Sequence, residues 1–166
     1  MPLLREGLKR AQYAAYLSRL TPFQEGIERE LGRWVADWPV ALEMHKREKA
    51  PLLRADLIAL GEPAILPSPV FNLKLASVSH AWGCLYVLEG STLGGQVLSR
   101  RLSQSLGLTP STGGAFLWAY GDQTGEMWRR FQGCLLAFAE RGDEAEIIRG
   151  AQDTFESLTG WLKGAS

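Results

Sequence analysis

An all-α, single-domain helix bundle is the fold class this sequence predicts, and three observations predict it. Apolar residues recur at three- and four-residue spacing in every long segment, as a single buried helix face requires. Prolines and glycines fall between those segments, where they start and stop helices. No stretch alternates apolar and polar residues as a half-buried strand would, and no internal repeat or low-complexity tract competes.

The first helix signal covers residues 7–38, with Leu8, Ala11, Ala15, Leu20, Phe23, Ile27, Leu31, Trp34 and Val35 in helical register. Pro22 removes one helical donor and is expected to kink or restart it, and Pro39 is expected to end it. A short helix over 40–49 follows, then another over 51–60, with Pro51 at its first turn and Gly61 as its stop. Residues 61–72 hold three prolines and read as an irregular connection. A long central helix spans 73–106, closed by Gly107 with Pro110 beyond it, and 109–114 is a loop. Two helices complete the chain, 124–140 and 143–162. Asp143 is the expected N-cap of the last, whose apolar stripe is Ile147, Ile148, Ala151, Phe155, Leu158 and Leu162.

Bulk properties narrow the function. The 166 residues are about the size of one domain, and 46% hydrophobic with 22% charged residues is an ordinary globular composition. Eighteen basic residues balance eighteen acidic ones, so there is no basic field for nonspecific nucleic-acid binding. No apolar run is long enough to span a membrane and no leader is recognisable. Cys84 and Cys134 lie in apolar helical stretches and read as free thiols, which fits a cytoplasmic protein. The two histidines support no nucleophilic triad, Gly94-Gly95 does not follow a strand as a phosphate loop must, and no paired Glu-x-x-His marks a di-metal site.

The informative feature is a set of glycines, Gly90, Gly94 and Gly95, inside a strong helix pattern. Each costs about 1 kcal/mol relative to alanine, so the set costs about 2–3 kcal/mol and demands a return. Gly90 and Gly94 are one turn apart and bare the backbone on one face. Either another helix packs closely there, or a ligand lies against the backbone.

The segment LYVLEGSTLGGQVLSRRL resembles the glycine-rich distal helix of haem oxygenases, most of all the bacterial branch associated with phytochromes. Tyr13, the 22–31 stretch, Leu53-Arg-Ala-Asp-Leu57 with Leu60-Gly61, Ala151 to Phe155 and Trp161-Leu162 follow in the expected order. The resemblance implies one haem oxygenase-like domain over 1–166, with a glycine-kinked distal helix. It also implies that haem, both substrate and cofactor, is opened to biliverdin with release of iron and carbon monoxide. Electrons would come from a ferredoxin or reductase, and the product would enter a bacterial phytochrome pathway.

In this reading Gly90, Gly94 and Gly95 form the wall against the macrocycle. Where animal members carry a carboxylate after the first motif glycine, this chain has Ser91. Proton delivery would then use Ser91, Thr92 or backbone-held water, although Ser91 would equally well bond the carbonyl one turn back. Arg129 and Arg130, on the helix before the last, are candidates for the haem propionates, and Phe155 for an aromatic lining the pocket. The iron-ligating histidine of the family belongs on a helix upstream of the one bearing Tyr13 and Tyr16, and no histidine precedes Tyr13. The expectation is a domain lacking its proximal-ligand helix, by truncation, by binding haem differently or another flat ligand such as a linear tetrapyrrole, or as a non-catalytic module that keeps the fold to bind haem, a linear tetrapyrrole or a protein partner. Of the histidines present, His45 lies among charges in Glu43-Met-His-Lys-Arg-Glu48, and His80 is a candidate ligand on the central helix itself.

Overall fold

The computed structural model describes residues 3, 6–63 and 70–164, and among them it contains six α-helices and no strand. The first, α1 (Arg10–Gly32), opens with Lys9 N–H donating to Gln12 Oε1 at 2.8 Å. It is continuous through Pro22, with no restart, and the Thr21 hydroxyl beside the proline donates to the Leu17 carbonyl at 2.8 Å. Its inner face carries Tyr13, Leu17, Phe23, Ile27 and Leu31, whereas Ala11 and Ala15 are exposed. The helix stops at Gly32, not at Pro39, and a separate short 3-10 turn spans Val35–Asp37.

The helix expected over 40–49 is not formed. Two 3-10 turns, Val40–Leu42 and Met44–Lys46, stand there instead, separated by Glu43 at φ 51°. The physical reason is Arg47, which is drawn into the interior: its Nε donates to the Leu42 carbonyl at 2.7 Å, a contact that a regular helix over these residues would not make. α2 (Ala50–Ala59) follows as expected, with proline in its first turn. Part of the irregular connection predicted for 61–72, residues 64–69, lies outside the described residues.

The central helix, α3 (Val78–Leu106), begins five residues later than expected, where the Ser77 hydroxyl accepts from His80 N–H at 3.1 Å. It runs uninterrupted through its glycines and ends on Gly107, whose φ of 66° a glycine adopts without strain. A wide turn, Pro110–Gly114, leads into a single helical turn that the sequence did not announce, α4 (Ala115–Trp118). Then come α5 (Thr124–Ala139) and α6 (Glu144–Lys163), the latter capped by Asp143 accepting from Glu146 N–H at 3.1 Å.

α6 packs along α3, and the seam differs from the predicted stripe. Gly150 and Thr154 face inward, while Ile148 and Phe155 are half or more exposed. Small residues take the seam because the two backbones nearly touch: a Cβ on Gly83 would lie 1.9 Å from the Ile147 carbonyl oxygen, and one on Gly150 would lie 2.1 Å from that of His80. Around this pair the core closes on Trp82, which is fully buried and stacks on Phe138 with ring centroids 5.2 Å apart.

Candidate functional site

A cavity of about 450 Å³ lies beside the glycine stretch of α3. From α1 it is lined by Tyr16, Leu20 and Phe23, and from α3 by Gly90, Ser91, Gly94 and Gly95. Phe116 and Leu117 of α4 and Leu158 of α6 close it. The three glycines are not equivalent. Gly95 permits packing, since a Cβ there would stand 2.9 Å from the Leu117 carbonyl oxygen. At Gly90 a Cβ would make ordinary contact with Trp128 at 3.7 Å, and at Gly94 it would meet nothing within 4 Å. Of the two returns anticipated for the glycines, close packing occurs at Gly95, while Gly94 leaves its backbone open to the cavity.

The polar side chains on the wall are mostly spent on neighbours. Ser91 donates to the Leu88 carbonyl at 2.6 Å and Thr92 to that of Glu89 at 2.6 Å, the local back-bonding that helical serine and threonine favour. Gln24 donates to Glu28 at 2.8 Å. Among the described residues Lys49 is the one charged residue lining the cavity, and its ammonium is engaged: Nζ donates to Glu89 Oε1 at 2.8 Å and to the Arg47 carbonyl at 3.0 Å. The Tyr16 hydroxyl is held neutral, with its pKa raised by burial. The result is an apolar chamber with a strip of bare backbone on one side.

Behind that strip lies a buried ionic cluster that sequence reasoning missed. Glu89, 1% exposed, precedes Gly90 and accepts from Arg47 Nη1, from Lys49 Nζ and from the Tyr120 hydroxyl, the last at 2.8 and 3.0 Å to its two oxygens. Arg47 also donates to the Met127 carbonyl at 3.3 Å. Tyr120 is kept protonated, first by burial and then by the adjacent Glu89 carboxylate. Each charged partner is hydrogen-bonded, and through Glu89 the cluster ties α3 to Arg47, Lys49 and Tyr120 next to the first glycine of the strip. Leu88 and Lys49 also line a second cavity of about 190 Å³, whose wall includes Arg47 and Glu89 of this cluster.

The other candidate residues do not reach the cavity wall. Arg130 is engaged by Glu43 and by Glu126, the latter at 3.0 Å, and Arg129 is exposed on α5. Phe155 is 63% exposed, because α6 presents Thr154 and Leu158 inward instead. Neither histidine lines the cavity. His45 is exposed on its 3-10 turn, so it is solvated as expected although not in a helix. His80 is buried against Gly150 of α6, with Nε2 3.3 Å from Asp153 Oδ2 but off the angle of a hydrogen bond. That placement removes it from the iron-ligand role considered for it. Among the described residues no helix is long and apolar enough to cross a membrane, and no cluster of three His, Cys, Asp or Glu could hold a metal ion.

No family model matches the chain. It is 35% identical over 147 residues to a haem oxygenase of Xanthomonas campestris pv. campestris (strain 8004), an alignment covering 86% of this chain and 84% of that protein.

Proposed function

The chain belongs to the haem oxygenase family, and from that premise we propose that it opens haem oxidatively to biliverdin, with release of iron and carbon monoxide. The observation that carries the reading is Gly94. It bears the cost of a glycine in a helix interior, about 1 kcal/mol, and has no neighbour within 4 Å; Gly125, Gly133 and Gly160 share that openness, but of the four only Gly94 lines the cavity. A flat apolar ligand lying on the strip supplies the missing contact, and the 450 Å³ chamber of leucine, phenylalanine and bare backbone suits a macrocycle.

Haem, when bound, supplies the iron and the ring carbon that is oxidised. The chain's own residues supply the rest. Gly94 would seat the face of the ring against open helix backbone, with Gly90 and Gly95 beside it on the cavity wall. Leu20, Phe23 and Leu117 exclude bulk water from it. Ser91 gives its hydroxyl proton to the Leu88 carbonyl, so its oxygen lone pairs accept from a water in the cavity and hold that water beside the ring. The Arg47–Glu89–Lys49 cluster and Tyr120 keep that surface in place without touching the ligand. Electrons come from a separate ferredoxin or reductase, and we assign the biliverdin to a bacterial phytochrome and the protein to the cytoplasm. Two unpaired cysteines, Cys84 and Cys134, support that compartment.

A haemin titration of the purified chain, followed in the Soret region and repeated after reduction under carbon monoxide, tests the proposal. The expected result is a saturable one-to-one complex that yields biliverdin when a ferredoxin and its reductase are added. The absence of a saturable complex would overturn it.

A further inference from the structure

The part of the cavity wall made by α4 is too short to hold itself. Ala115–Trp118 is a single turn, and an isolated turn of helix is not stable in water. It is fixed from outside at both ends. On the N-terminal side the carboxylate of Asp56, on α2 and 1% exposed, accepts Ala115 N–H through Oδ1 at 2.8 Å and Phe116 N–H through Oδ2 at 2.8 Å. These are first-turn amides with no partner inside the helix. On the other side Tyr120 is tied by its hydroxyl to Glu89. Between the two ties Ala119 is held at φ 44°, ψ −103°, a conformation that a residue with a side chain rarely adopts. The strain persists because both ends are anchored.

We propose that Asp56 is a positioning residue for the cavity: without touching the ligand, its carboxylate sets where Phe116 and Leu117 stand against the glycine face of α3. The inference rests on the reading that this cavity seats haem. Two consecutive amides need two acceptor oxygens at a fixed spacing on one rigid group, which a carboxylate provides. A carboxamide offers one oxygen, and its NH₂ would confront the second N–H. Gly95 completes the arrangement, because its lack of a Cβ lets the Leu117 carbonyl rest against α3.

The test compares Asp56→Asn and Asp56→Glu with Ile147→Ala, a core truncation on α6 away from the cavity. Two readouts are taken on the full chain, amide exchange across residues 110–120 and haemin affinity. Asp56→Asn is expected to speed exchange at the Ala115 and Phe116 amides and to weaken haemin binding, each about tenfold, as small misplacements of a site wall do. Asp56→Glu keeps charge and both oxygens on an arm one methylene longer. It is expected to fold and still lose haemin affinity, which keeps the test decisive if the asparagine variant does not fold. Ile147→Ala, although destabilised, is expected to leave both readouts unchanged. Unaltered exchange in the Asp56 variants, or haemin affinity equal to that of the parent chain, would overturn the proposal. If the parent chain binds no haemin, the functional reading falls separately. Exchange at the two amides and binding of the apolar dye 8-anilinonaphthalene-1-sulfonate then decide the role of Asp56 by the same differences.

Discussion

A methyl group placed on Gly83 would stand 1.9 Å from the Ile147 carbonyl oxygen, whereas one on Gly94, about three turns further along the same helix, would meet nothing within 4 Å. Both positions carry the same backbone cost. At Gly83 the return is inside the protein: α6 lies so close that its own Gly150 answers with the His80 carbonyl oxygen 2.1 Å from a built Cβ. Gly95 sits between the extremes, with the Leu117 carbonyl oxygen at 2.9 Å. Gly94 has no such contact among the described residues, and it lines the cavity. The difference separates glycines that let helices pack from a glycine that leaves a cavity wall bare.

Substitution by alanine sharpens the contrast. Gly83→Ala forces two backbones apart and is expected to cost about 3 kcal/mol, the upper range for overpacking a core, measured by urea unfolding. Gly95→Ala meets one carbonyl at the edge of a short helix, and is expected to cost about 1 kcal/mol, because the clash offsets the gain in helix propensity. The packed end should also be chemically silent. Cys84, adjacent to Gly83, is fully buried, and burial pushes its thiol up to about 12. Native protein should therefore react with a thiol reagent near neutral pH at Cys134 alone, and at both cysteines after denaturation. Since folding raises the thiol pKa, its contribution to stability is whole below the ordinary value of 9.0 and fades as pH climbs from there towards 12. Rapid native labelling of Cys84 would show that the α3–α6 seam opens.

The helical class and the long elements were legible in the sequence because apolar spacing, Asp143 and Gly107 are local signals. So was the glycine strip, because three helix-breaking residues in one strong pattern are conspicuous. Gly83 and Gly150 were not: each is isolated, and only the crossing of α3 and α6 shows what they face. The same crossing rotated the last helix, so that Thr154 is buried and Phe155 is not. Glu89, Arg47 and Lys49 escaped for a related reason. Arg47 and Lys49 sit in a charge-rich stretch that reads as solvated, and the carboxylate that draws them in lies some forty residues away, at 42 and 40 positions respectively. Asp56 shows the limit of the resemblance, since its motif placed it in sequence but only the structure reveals the two amides it holds. No spacing rule predicts α4, a single turn stabilised wholly by distant partners.

The central claim, that the bare strip at Gly94 serves a ligand and not the fold, is tested most directly by measuring unfolding stability and haemin affinity together on Gly94→Ala. Gly94→Ala is expected to be more stable by about 1 kcal/mol, as a helix interior gains on exchanging glycine for alanine, and to bind haemin more weakly. A variant that gains stability and binds haemin as well as its parent would contradict the claim.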